Sequence, residues 1–140
     1  MPRIPLALRL AVIDRAQGRC EYCHVPQEAE LVEYEIDHII AGQHGGETNL
    51  NNLAYACFDC NHYKGPNLAS LDPQTDERTW LFNPRIHKWE EHFHLHSDGI
   101  ITPQTPEGRA TARLLYFNIS SRVLQRTYTI TAGKLRPTSE

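Results

Sequence analysis

Two cysteine pairs constrain this chain more than any other feature of its sequence. Cys20-Glu21-Tyr22-Cys23 and Cys57-Phe58-Asp59-Cys60 hold all four cysteines of the 140 residues. Arg9 and Asp14 interrupt the apolar N-terminal run, so no export signal is predicted and disulfides are the less expected use of these thiols. Two Cys-x-x-Cys pairs supply the four thiolates of a closed tetrahedral zinc shell, with no position left for water or substrate. One structural Zn²⁺ per chain is the prediction, with the 33 intervening residues forming a folded excursion that returns to the metal. Two independent redox or free pairs are the alternative. Cys20 to His24 also spells Cys-x-x-Cys-His, the attachment signature of c-type haem, but that chemistry needs an oxidising compartment and leaves the second pair unexplained. His24 then reads as a surface residue or a neighbour of the zinc.

Length bounds the chain to one compact domain, or a small core with an extension. At 40% hydrophobic and 22% charged the composition is globular. No stretch approaches the roughly 20 apolar residues of a membrane helix, so a cytoplasmic protein without a membrane partner is expected. The net charge of −3 hides an asymmetry. Residues 1–19 sum to +3 (four Arg, one Asp) and residues 20–60 to −8, with no Lys or Arg. Residues 61–107 sum to −3 and 108–140 to +5. An acidic centre between basic ends fits a cation site flanked by arms that can hold a polyanion, or simply solvated faces.

Along the chain, residues 5–17 read as an amphipathic helix, with Leu6, Leu10 and Ile13 at helical spacing, Pro5 in the first turn and Gly18 at the stop. Residues 31–36 favour a strand, and Gln43–Asn49 a polar loop with a turn at Gly45-Gly46. A short apolar stretch follows at Leu53–Ala56, then a helix of two turns or less from near Phe58 to Gly65-Pro66. Strand, loop, strand and helix between two cysteine pairs make a ββα unit clipped by metal.

Inside that excursion lie Asp37-His38, Asn52 and Asn61. Hydrolysis of a phosphodiester needs a hard cation to neutralise charge and a base to activate water. Oxygen donors such as Asp37 and Asn61 suit Mg²⁺, and His38 offers an imidazole, a side chain suited to act as the base. Lys64, three residues after Asn61 on the same helix face, is a candidate phosphate contact or a solvated side chain. Taken singly, each of these residues has an ordinary structural use; their joint occurrence between two cysteine pairs is the signal.

Cys20-x-x-Cys23, Glu35-Ile36-Asp37-His38-Ile39, Gly45-Gly46, Asn52-Leu53 and Cys57-x-x-Cys60-Asn61-x-x-Lys64 resemble an HNH endonuclease over about residues 16–66. The resemblance implies a ββα-metal (His-Me finger) core. It implies His38 as general base, Asp37 and Asn61 as ligands of a catalytic Mg²⁺ or Mn²⁺, and Asn52 as the residue holding the loop and the histidine. It also implies the structural zinc site at Cys20, Cys23, Cys57 and Cys60, and products with 5′ phosphates. Asn61 replaces the usual final histidine, a harder ligand that favours Mg²⁺ or Mn²⁺ over Zn²⁺ or Ni²⁺. A shifted helix register would bring His62 to that place instead.

Residues 67–140 carry no catalytic motif. Trp80-Leu81-Phe82 and Trp89 to Phe93 are expected to cover a core. His92, His94 and His96 alternate, and on a strand would share one face, as an exposed row or as metal ligands. Thr105-Pro106-Glu107 is a helix start. Arg109 with Arg113, and Arg122 with Arg126, repeat at four residues and are predicted to form basic faces for phosphate or solvent.

The chain is thus expected to be α+β, with residues 1–70 a zinc-clipped ββα-metal core with its N-terminal helix. Residues 71–140 are a mixed strand and helix extension packing on that core and offering candidate DNA-binding helices. The function expected is hydrolysis of DNA phosphodiesters, one nick per chain, with RNA the other substrate class and a homodimer the route to double-strand cleavage. The competing readings are a zinc-stabilised module that binds nucleic acid without cutting it, and a zinc domain that binds a partner.

Overall fold

The computed structural model describes residues 3–139. They mix helix and strand in an α+β arrangement, and the chain divides into two compact units, Met1–Leu68 and Ala69–Glu140. None of the described helices is long and apolar enough to cross a membrane.

The first unit opens with α1 (Leu6–Ala16), which follows Pro5 and stops where Gln17 and Gly18 both turn left-handed. The face it buries is not the predicted stripe. Val12 is fully buried while Leu6 and Leu10 are exposed, at 69% and 55%. The rotation is fixed by Arg15, one turn after Val12, whose guanidinium donates to the carbonyls of Leu50 at 2.8 Å and Leu53 at 2.6 Å. Those two charge-assisted bonds outweigh the placement of two leucines on a helix of three turns.

The first strand, β1 (Glu35–His38), begins later than the 31–36 expected, and Leu31 and Val32 lie exposed ahead of it. It pairs antiparallel with β2 (Leu53–Ala56), in the register Glu35↔Ala56, Ile36↔Tyr55, Asp37↔Ala54 and His38↔Leu53. Asp37 and His38 therefore belong to the strand rather than following it. Cross-strand partners share a face, so Glu35 and Asp37 lie beside Ala56 and Ala54. These two alanines are fully buried. Their small side chains let α2 (Phe58–Lys64) come down on this face, where Asn61 reaches Glu35 and Lys64 reaches Asp37. The helix starts at Cys57, whose sulfur accepts from the Cys60 amide, and ends at Gly65, as the sequence predicts.

Among its described residues, the second unit holds two hairpins, a short helix and two longer ones. β3 (Ala69–Leu71) pairs with β4 (Arg78–Trp80), and β5 (Phe93–Leu95) with β6 (Ile101–Pro103). α3 (Trp89–His92) precedes β5, and α4 (Pro106–Leu114) and α5 (Ser120–Thr131) close the unit. Thr105 caps α4 by accepting from the Gly108 amide, with Pro106 in the first turn, as expected. Leu81, Phe82, Trp89 and Phe93 are core residues, but Trp80 is 70% exposed at the end of its strand.

Three of the four arginines predicted on basic faces serve the interior of this unit instead. Arg109 grips Asp72 through Nε at 2.9 Å and Nη2 at 2.7 Å. Arg122 is buried and donates to the Leu115 carbonyl. Arg126, with no exposed surface, donates to the carbonyls of Gly99 and Phe117. A guanidinium that collects carbonyls at loop ends is worth more to a small core than one left in water. The histidine row is not a row either. His92 ends α3 and bonds Thr105 through Nδ1 at 2.6 Å, whereas His94 and His96 face each other with ring centres 4.5 Å apart.

Candidate functional site

All four cysteines are buried, and their sulfurs lie within 4.8 Å of one another. Cys23 and Cys57, from different pairs, approach to 3.8 Å. A tetrahedral zinc with bonds of about 2.3 Å puts its sulfurs about 3.8 Å apart, so the donor set fits that ion. Each pair is shaped for it. The amide of Cys23 points at the Cys20 sulfur at 3.5 Å and the amide of Cys60 at the Cys57 sulfur at 3.3 Å, the donors a thiolate needs. Hydrogen bonds among the sulfurs, led by Cys20, push the Cys57 thiol up, and burial does the same for Cys60. Four thiols held this close become thiolates only with a cation among them. The pairs are therefore one site and not two independent ones. Among the described residues no other group of three or more histidines, cysteines or carboxylates gathers in this way, His92, His94 and His96 included.

The cluster anchors the strand and helix that carry the polar constellation. Asp37 is buried: its Oδ2 accepts from the Tyr22 hydroxyl at 2.7 Å and lies 3.3 Å from Lys64 Nζ. Burial raises the Asp37 carboxyl above its usual value, against the opposing pull of Lys64 and Tyr22. The Tyr22 hydroxyl is raised well above its own, by burial first and then by Asp37, so it stays a donor. Lys64 is not on an exposed face. It is only 2% exposed, and its ammonium donates to the carbonyl of Ile39 at 3.1 Å and lies 3.4 Å from those of His38 and Gly65. That placement ties the end of α2 to the end of β1 and leaves no ammonium for phosphate.

His38 follows Asp37 on the strand and so projects from the other face. Its Nε2 lies 2.9 Å from the Thr48 hydroxyl, and Nδ1 has no hydrogen-bond partner among the described residues. The loop between His38 and β2 is closed by Asn52. Its Oδ1 accepts from the Ile40 amide at 2.9 Å, and its Nδ2 donates to the carbonyls of Ile40 at 2.9 Å and Glu47 at 2.8 Å. A side-chain amide here completes the backbone bonding of the loop as a strand neighbour would. Gly46 is required by the same closure, because a Cβ there would lie 1.7 Å from the Ile40 carbonyl oxygen.

Asn61 sits on α2 facing β1, where its Nδ2 donates to Glu35 Oε2. His62 is exposed and stacks its ring on Phe58, so the helix register keeps Asn61 toward the strand. Glu35, Asp37 and Asn61 share this face, and Asp37 and Asn61 offer oxygen donors of the kind suited to Mg²⁺ or Mn²⁺ rather than to a softer ion. Of the three, Glu35 is exposed and Asn61 partly so, while Asp37 lies behind them with Lys64.

Tyr22 and Thr48 have no assigned role in the sequence reading, and Glu35 enters it only as part of the motif around Asp37-His38. Glu35 had a signal, standing two residues before Asp37 and hence on its face of a strand. Tyr22 lies at a variable position of its cysteine pair and Thr48 in a polar loop, and neither residue type announces its partner. No curated protein and no solved structure matches the chain. Residues 20–67 match the family model described as HNH endonuclease, and this stretch, from the first zinc-site cysteine to just past α2, is an HNH domain.

Proposed function

We propose that this domain is a metal-dependent endonuclease that hydrolyses DNA phosphodiester bonds, one strand per chain. The observation that carries the reading is the setting of His38. Its loop is locked by Asn52, one ring nitrogen meets Thr48, and the other has no hydrogen-bond partner among the described residues. Donation from Nε2–H to the Thr48 hydroxyl leaves the Nδ1 lone pair to take a proton from water. The water oxygen then bonds phosphorus as the bond to the 3′ oxygen breaks, giving a 5′ phosphate and, after protonation, a 3′ hydroxyl. Asp37 and Asn61 are the residues that would hold Mg²⁺ or Mn²⁺. When bound, the cation supplies charge neutralisation at the phosphate and the leaving oxygen. Lys64 steadies Asp37, and Asn52 keeps the imidazole aimed.

The test is conversion of supercoiled plasmid by zinc-loaded protein with Mg²⁺ or Mn²⁺, beside His38→Ala. Nicking by the parent is expected, abolished by EDTA and reduced roughly 10² to 10⁴-fold in the variant, the usual cost of losing a general base. Equal cutting by both proteins overturns the role of His38. A second reading, a zinc module that binds nucleic acid without cutting, draws on one observation: a cation reaching Asp37 must compete with the Lys64 ammonium. Retained zinc and nucleic-acid binding with no cleavage of DNA or RNA under any divalent ion would establish that reading instead.

A further inference from the structure

We infer that Glu35 is a positioning residue, turning the side-chain amide of Asn61 so that its oxygen is presented to the divalent cation. This rests on the nuclease reading above. Glu35 opens β1 on the face that α2 covers, and Asn61 Nδ2 donates to its carboxylate. A carboxylate only accepts, so the amide must turn its NH₂ toward Glu35 and its carbonyl away. The reversed amide would set oxygen against oxygen. Oδ1 of Asn61 has no hydrogen-bond partner among the described residues, and the Glu35 carboxylate accepts no other hydrogen bond there. The contact is thus not part of a larger network that holds the fold together. Glu35 is also exposed, so its removal opens no cavity. What the contact does fix is which atom of Asn61 faces away from Glu35, and that atom is the hard oxygen a Mg²⁺ or Mn²⁺ prefers. Partners of this kind, which orient a ligand without touching the metal, are typically worth 10 to 100-fold in metal affinity.

The experiment measures Mn²⁺ binding to the zinc-loaded full chain by the electron paramagnetic resonance of free Mn²⁺, for the parent, Glu35→Ala and Glu35→Gln. Zinc content and melting temperature are recorded for each and are expected to be unchanged. Glu35→Ala should weaken Mn²⁺ binding about 10 to 100-fold. Glu35→Gln keeps an acceptor for Asn61 Nδ2 while discarding the charge, and should recover most of that loss. Parent-like binding by Glu35→Ala overturns the inference and leaves the nuclease reading standing. A Gln variant as weak as the Ala variant overturns it too, since charge and not orientation would then be at work. A parent that binds no Mn²⁺ removes the catalytic-metal reading itself, and this inference with it.

Discussion

Asp72 shows how much a single buried carboxylate can set. Its side chain is 1% exposed and gripped through both oxygens by Arg109, which, with help from the Gln74 amide, holds its carboxyl down at about 2. A group whose folded value lies below its unfolded one, near 3.9, adds stability above about pH 4 and loses it as the pH falls toward 2. Melting curves of the parent and Asp72→Asn should therefore lie furthest apart above pH 4 and converge as the pH drops toward 2. Both tryptophans, Trp80 and Trp89, belong to the same unit as Asp72, so their fluorescence is the natural probe. A gap that stays constant across that range would show that the pair is not the source. At this scale the sequence was readable where residue type and spacing define the chemistry, as with the four cysteines and the start of α4 at Thr105. It was not readable for Lys64, Arg122 or Arg126. Long cationic side chains normally seek water, and only the carbonyls left at strand and loop ends decide that these three turn inward.

The elements of the HNH domain are short, four residues in each strand and seven in α2, and none is long enough to stand alone. Their stability is expected to come from the cysteine cluster that gathers them, where binding of a metal would be one process with folding. Removal of zinc by a strong chelator is expected to abolish hydrogen-exchange protection across residues 20–67 and to lower the helical circular dichroism. Retention of that protection in metal-free protein would mean that the core folds without its clip. The element order β1, loop, β2, α2 was legible because Gly45-Gly46 and Gly65-Pro66 punctuate it. The start of β1 was not. Residues 31–36 alternate as well as 35–38 do, and the pairing with Leu53–Ala56, a contact distant in sequence, selects the later start. The buried face of α1 is illegible for a similar reason, since its rotation is set by the carbonyls of Leu50 and Leu53 rather than by its own leucines.

For the whole molecule, the charge map read from sequence overstates what the surface offers. Residues 108–140 count +5, yet Arg122 and Arg126 are buried and Arg109 is bound to Asp72. Net charge along a chain describes a polyanion-binding arm only where the cations face outward. The cluster of four cysteines has a further consequence, a mechanical one. With zinc in place, tension applied to the two chain ends passes from the first cysteine pair to the second through metal–sulfur bonds. The 33 residues between Cys23 and Cys57, with His38 and the loop locked by Asn52, lie off that load path. A single zinc-loaded molecule pulled from its ends should release this hidden length, about 110 Å, in one step when the metal–sulfur bonds rupture. In the presence of a chelator the step should vanish, and a step that survives there would place the resistance elsewhere. The candidate catalytic strand thus lies within the stretch that a bound metal would shield from strain, released only when the metal is lost.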